Sequence, residues 1–197
     1  MESLTLSFFY DAEQTAWGFD PEDRGSSRVY WFPDVRDLTP TQLPGSLPKD
    51  GSFQLVPLTS RASLSLPPYQ ALEVQALRLS AEEEDAYFAF WQEWEDRYGA
   101  GPQHQLLGHP SPIQDEMQLE CQLVSGGIYC GDPAGYKDPR RSELEPGASG
   151  WRLLAQFDSD DTAGMMWGDV GMLYFWIRES DLTARRFDRG WMILQCS

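Results

Sequence analysis

Trp151-Arg-Leu-Leu-Ala-Gln-Phe-Asp158, Val170-Gly-Met-Leu-Tyr-Phe-Trp-Ile-Arg178 and Trp191-Met-Ile-Leu-Gln-Cys-Ser197 are three apolar runs of strand length at the end of the chain. Asp- and Gly-rich stretches separate them: Ser159 to Asp169, and a polar bridge that closes on Arg189-Gly190. Apolar runs of this length, bounded by turn residues, are the pattern of strands in a folded sheet. The rest of the chain is read outward from them.

Upstream, Leu4 to Tyr10 and Arg28 to Phe32 form two further strands, the second stopped by Pro33-Asp34. Between them lies a polar loop, Asp11 to Ser27. Asp37 to Gly51 holds Pro40, Pro44 and Pro48 and reads as a linker. Phe53 to Leu58 and Ala62 to Leu66 read as short extended segments. Ser80 to Tyr98 is the one clear helix. Ser80 and Glu83 have capping-box spacing, and Glu82, Glu83, Glu84 and Asp85 suit the positive end of the helix dipole. Tyr87, Phe88, Phe90, Trp91 and Trp94 make an apolar stripe expected to pack on a sheet. Residues 104–117 read as an ordered loop and Leu119 to Val124 as a strand or a helical turn. A short helix is expected near Arg141 to Leu144.

The order strand, Phe-Asp, Asp-Arg-Gly, strand occurs twice. Leu6 to Asp11 leads through Phe19-Asp20 and Asp23-Arg-Gly25 to Val29–Phe32; Leu173 to Arg178 leads through Phe187-Asp-Arg-Gly190 to Trp191–Leu194. The expected architecture is therefore α+β and mostly β. It has antiparallel sheets from two related β units in a single domain: residues 1–70, a helix-and-loop insertion at 71–150, and 151–197.

With 41% hydrophobic and 13% aromatic residues, 197 residues can bury a sizeable core. The net charge is −16, from 31 Asp and Glu against 15 Lys and Arg. Such a field repels phosphate backbones, which argues against direct nucleic-acid binding, and it favours a basic protein partner. Acidic composition also serves solubility alone. No apolar run reaches membrane-spanning length. The N-terminus lacks a basic start and a small-residue cleavage site, so a cytoplasmic location is expected. Cys121, Cys130 and Cys196 read as free thiols.

Catalytic motifs are absent: there is no Gly-x-Ser-x-Gly elbow, P-loop or Gly-x-Gly-x-x-Gly fingerprint. Asp158, Asp160, Asp161 and Asp169 could serve a hard cation in a metal-dependent hydrolase, but their spacing is not that of a calcium loop. His104, His109, Cys121 and Cys130 lack the tight cysteine pair of a structural zinc site. His104 is expected to bond a loop carbonyl. No catalytic residue, metal or cofactor is therefore assigned. Two acidic–aromatic stretches suit partner binding instead. One is Trp17 with Asp20, Glu22 and Asp23; the other is Asp158, Asp160, Asp161 and Asp169 with Met165, Met166 and Trp167. Trp17 or Trp167 would be the desolvated anchor ringed by carboxylates.

Leu-Ala-Gln-Phe-Asp-Ser-Asp-Asp over 154–161, Met166-Trp-Gly-Asp169 and Gly171-Met-Leu-Tyr-Phe175 resemble the signature of the YwqG-like family, a domain of unknown function. So do Phe8-Phe-Tyr-Asp11, Trp17-Gly-Phe-Asp-Pro21 and His104-Gln-Leu-Leu-Gly-His-Pro110 with Gln114. The resemblance implies a mostly β fold of two related halves and brings no known catalytic residue. Family members usually carry a longer N-terminal region, so the first half is expected to be shortened. Proteins resembling this family occur beside secreted toxins. The resemblance thus implies a cytosolic immunity protein that occludes the basic active site of a nuclease from a contact-dependent system such as type VI secretion. A cleft between the β halves that takes a small molecule or peptide is the alternative.

Overall fold

The C-terminal strands form where apolar residues are densest, and both faces of their sheet are covered. A computed structural model describes residues 5–48, 51–99 and 101–197. In chain order the elements are β1 (Thr5–Tyr10), β2 (Ser27–Phe32), α1 (Leu72–Gln75), α2 (Ala81–Tyr98), β3 (Gln105–Leu106) and α3 (Gln118–Ser125). Then come α4 (Arg141–Leu144), β4 (Trp151–Asp158), β5 (Met172–Arg178), α5 (Glu179–Thr183) and β6 (Trp191–Gln195). Leu4, expected to open the first strand, and Lys49 and Asp50 of the expected linker lie outside the described residues. The α+β expectation holds. Helix, about 30% of the chain, exceeds strand, about 19%, yet the strands hold the core.

β3, β4, β5 and β6 form an antiparallel sheet in that spatial order, and β1 and β2 form a separate antiparallel pair. Side chains alternate across the sheet as the pleat requires. Met172, Tyr174 and Trp176 of β5, with Trp191 and Ile193 of β6, face one layer built by α3 and the 126–150 segment. Leu173, Phe175 and Ile177, with Met192 and Leu194, face the β1–β2 pair. In β4 a bulge between Leu153 and Ala155 resets the alternation. Trp151 and Leu153 therefore face α3, whereas Leu154, Ala155 and Phe157 face the hairpin. Phe8 sits edge-on to both Phe157 and Phe175, each at 5.1 Å, which locks the two sheets together.

Both halves of the sequence echo are antiparallel pairs with a 3-10 turn before the second strand, at Pro21–Asp23 and Phe187–Arg189. Residues 14–19 then run along the open edge of β6. Leu194 N donates to Trp17 O at 3.0 Å, and Trp191 Nε1 donates to Gly18 O at 2.8 Å. Covering this edge removes unpaired strand groups from solvent. Gly18 has φ +91, and a Cβ there would strike Met192 O, so only glycine fits so close to the strand.

Three expectations are corrected and one is narrowed. Phe53–Leu58 and Ala62–Leu66 form no strand. Pro57 and Pro67 interrupt the ladder chemistry, and the stretch is tied down by Gln54 N donating to Ala163 O and by Ser65 Oγ accepting from His109 N. Of the two readings of Leu119–Val124, strand or helical turn, the helix holds, as part of α3. Residues 104–117 contain the two-residue strand β3. The α2 stripe does not pack on a sheet: no described α2 side chain is buried. Its rings instead meet the segment before it. Tyr69 lies 4.7 Å from Phe88 and 5.9 Å from Trp91, and Tyr87 Oη donates to Pro67 O. The capping box of Ser80 and Glu83 is present as expected.

Candidate functional site

Four of the carboxylates picked out from the sequence are already spent on backbone N–H groups. Asp23 accepts from Trp17 N and Gly18 N, and Asp20 accepts from Glu22 N. Asp158 accepts from Gln103 N at 2.8 Å. Asp160 accepts from Thr162 N, which holds its carboxyl below the usual range, and faces His104 Nε2 at 3.4 Å. This is turn chemistry, in which short acidic side chains satisfy nearby backbone N–H groups. Glu22, Asp161, Met166 and Asp169 are exposed and Met165 is half-buried. Trp17 is half-buried against the hairpin-side core.

Trp167 cannot be a surface anchor. It is 5% exposed, lies edge-on to Tyr10 and Phe53, and donates its indole N–H to Asp158 O. Among the described residues, the two acidic loops touch at one bond. Gln14 touches Gly168 at one end of the β6 edge, whereas Phe19 O bonds Cys130 N and Arg24 bonds Ser125 O towards the other. His104 does not bond a loop carbonyl: its Nδ1 accepts from Asp158 N. His109 lies apart on a cavity wall, and Cys121 and Cys130 are buried free thiols, as is Cys196. Among the described residues, no three His, Cys, Asp or Glu side chains are grouped to hold a metal ion.

What sequence reasoning missed is a polar row across the sheet. Gln156 of β4 accepts from Ser111 N and donates to Gln103 O. Tyr174 of β5 donates to Ser111 O at 2.7 Å. Gln195 of β6 accepts from Ile113 N and Gln114 N and donates to Asp115 O. One polar residue from each long strand thus straps the 103–115 segment over the sheet. Buried side-chain amides with every partner satisfied specify such a path uniquely. The available signal was a lone Gln inside each of two apolar runs.

The strap leaves a cavity of about 430 Å³ between its Leu107–Met117 stretch, the start of β4 and the end of β5. Pro68, Ala71 and Glu73 close another side, and Trp151, Trp176 and Leu182 line the wall. This is the size and largely apolar character of ligand clefts. Glu116 enters it while accepting backbone N–H bonds at the start of α3 from Gln118 and Leu119. Burial raises the Glu116 carboxyl above its usual value, with Glu73 adding to the rise. Its neighbour Glu120 is pushed up to about 7 by burial, then by Glu116 and Asp115.

A second feature is the arm from residue 35 to residue 99. It carries Leu55 at 96% and Phe90 at 50% exposure, with Leu43, Leu58 and Leu64 also well exposed. Helix α2 adds Glu82, Glu83, Glu84, Asp85, Glu93, Glu95 and Asp96 against the single cation Arg97.

The geometry defines a three-layer α+β protein with a strapped sheet, a cleft and an acidic aromatic arm. The chain belongs to the family described as Domain of unknown function (DUF1963), whose model matches residues 2–196. No curated protein matches the chain. Among the described residues, no helix is long and apolar enough to cross a membrane.

Proposed function

We propose that the protein works by binding a basic protein rather than by catalysis. In its finer form, it is a cytoplasmic immunity protein of the YwqG-like kind. It neutralises a cognate secreted toxin, a nuclease (DNase) of a contact-dependent system such as type VI secretion, by covering the toxin's basic active site. The observation that carries this reading is α2: rings exposed beside seven carboxylates and one arginine, on a helix that buries none of its described side chains. Exposed apolar surface rimmed by charge marks interaction sites. Aromatic groups supply the core of an interface, and complementary charge speeds encounter. The anchor thereby moves from Trp17 and Trp167 to Phe88 and Phe90, while the exposed Glu22, Asp161 and Asp169 add to the acidic field.

The test is co-production with the toxin encoded beside this gene. The protein should protect the producing cell and form a complex that weakens with salt. Phe90→Ala and the reversal Glu82→Lys with Glu84→Lys should weaken the complex at least tenfold. No complex and no protection with any neighbouring toxin would sink the proposal. A module for a small molecule or peptide is the second reading, favoured by the cavity under the 103–115 strap.

A further inference from the structure

Three observations converge on that cavity. First, two of its three carboxylates, Glu73 and Glu116, lack cations. Among the described residues, no ion pair engages Glu73 or Glu116; the one arginine on the wall, Arg152, is taken by Glu179 at 2.8 Å. His109 also lies on the wall, and Gln118 is spent on Trp151 O. Second, Glu116 uses its oxygens on two backbone N–H groups, and a carboxylate has about four acceptor positions. An ionised carboxylate held in a largely apolar wall without a counter-charge is costly, and a cation arriving in the cavity relieves that cost. Third, Trp176 is part of the wall and only 3% exposed, yet its indole N–H has no acceptor. A buried donor without a partner is uncommon, because indole N–H groups are normally satisfied when buried. The other wall tryptophan, Trp151, does spend its N–H, on Gln122 Oε1 at 3.0 Å.

We propose that this cavity binds an organic cation that carries a neighbouring carbonyl, as in an arginine or lysine residue of a peptide. The guanidinium or ammonium group sits against Glu116 and Glu73, and the carbonyl accepts from Trp176 Nε1. The apolar stem lies along Trp151, Leu153, Met117 and the wall prolines. The site is separate from the exposed face of α2, since no α2 residue lines the cavity. It does not depend on the toxin-binding reading; it rests on the second reading above and names the ligand class for it.

The experiment titrates the whole protein with N-acetylarginine amide, followed by calorimetry and tryptophan fluorescence, with N-acetylnorleucine amide as the neutral control. The arginine probe should bind saturably, with a Kd of about 1 mM or tighter, and the norleucine probe should not. Glu116→Gln and Glu73→Gln should each weaken binding at least tenfold, and Trp176→Phe severalfold. Circular dichroism checks that each variant is folded; Glu73 is exposed, so its variant keeps the test decisive if a wall variant unfolds. Agmatine, a guanidinium without a carbonyl, separates the two sources of the cation. It should bind more weakly than the arginine probe and ignore Trp176→Phe. Agmatine binding as tight as that of the arginine probe would overturn the role of the indole and the peptide source with it. Absence of saturable binding, or equal affinity in both glutamate variants, would overturn the site itself.

Discussion

Residues 101–197 and the arm at 35–99 obey the same local rules with opposite outcomes. In β5 and β6 every residue from Met172 to Ile177 and from Trp191 to Gln195 is buried. In α2 the N-cap, the capping box and the acidic first turn are all in place, and nothing described is buried. Local propensity can therefore shape a helix without giving it a core to join. Most helix stability in proteins comes from packing an apolar face, so the arm draws little from the sheet. Its ties to the rest of the molecule are scattered: Gln54 N to Ala163 O, the Phe53 ring on Trp167, His109 N to Ser65 Oγ, Gln70 to Gln114 O, and a Ser111 hydroxyl that reaches Glu95. Surface left over from folding in this way is surface open to recognition.

The sharpest way to break the contrast is a pair of truncations. Phe175→Ala should cost about 3–5 kcal/mol, since it empties a packed site between the sheets. Phe90→Ala should stay within about 0.5 kcal/mol. Urea unfolding followed by tryptophan fluorescence reads both, and equal costs would erase the distinction.

Glycines give a second contrast. Gly18→Ala should cost about 3 kcal/mol or more, because left-handed strain is joined by a collision with Met192 O. Gly101→Ala shares a positive φ of +87 but has nothing within 4 Å of the added carbon, so about 1 kcal/mol is expected. Thermal melting of both variants compares them.

Glu120 tests the core through pH. Its carboxyl is raised from 4.5 to about 7 by burial, then by Glu116 and Asp115. Below pH 4.5 the folded and unfolded chains both hold the proton. Between about 4.5 and 7 the folded chain keeps a proton that the unfolded chain has lost, so stability falls as pH rises. The loss should reach about 3 kcal/mol and be complete above about pH 8. Glu120→Gln should flatten this slope between pH 5 and 8. A slope that persists in the variant would assign it to other groups.

The smallest effect belongs to the arm. Ser80→Ala removes a cap worth about 1 kcal/mol to the helix. It should lower amide protection over 81–85 while leaving the melting temperature of the sheet unchanged. A matching drop in global stability would mean that α2 folds as one unit with the core.

The same contrast explains what the sequence disclosed. The three long strands were legible because burial on both faces leaves continuous apolar runs such as Met172–Ile177. The capping box was legible because it is local. β3 was not, since a two-residue bridge has no periodicity. The α2 stripe had the right spacing, but spacing shows that rings share a face and not what covers them. Trp167, Asp20, Asp23, Asp158 and Asp160 were misread for a related reason: a loop sequence does not reveal which way a ring turns or whether a carboxylate is already spent on backbone N–H groups. The cavity was illegible because its walls come from residues 68–73, 107–118, 151–153 and 176–182, which only the folded sheet brings together.

Hydrogen exchange along the free protein tests most directly whether the arm stands apart from the sheet. The amides of α2 should exchange orders of magnitude faster than those of β5 and β6, through local opening that leaves the core intact. Protection of α2 equal to that of β5 would contradict the account, because the helix would then belong to the core and its rings would not be free to meet a partner.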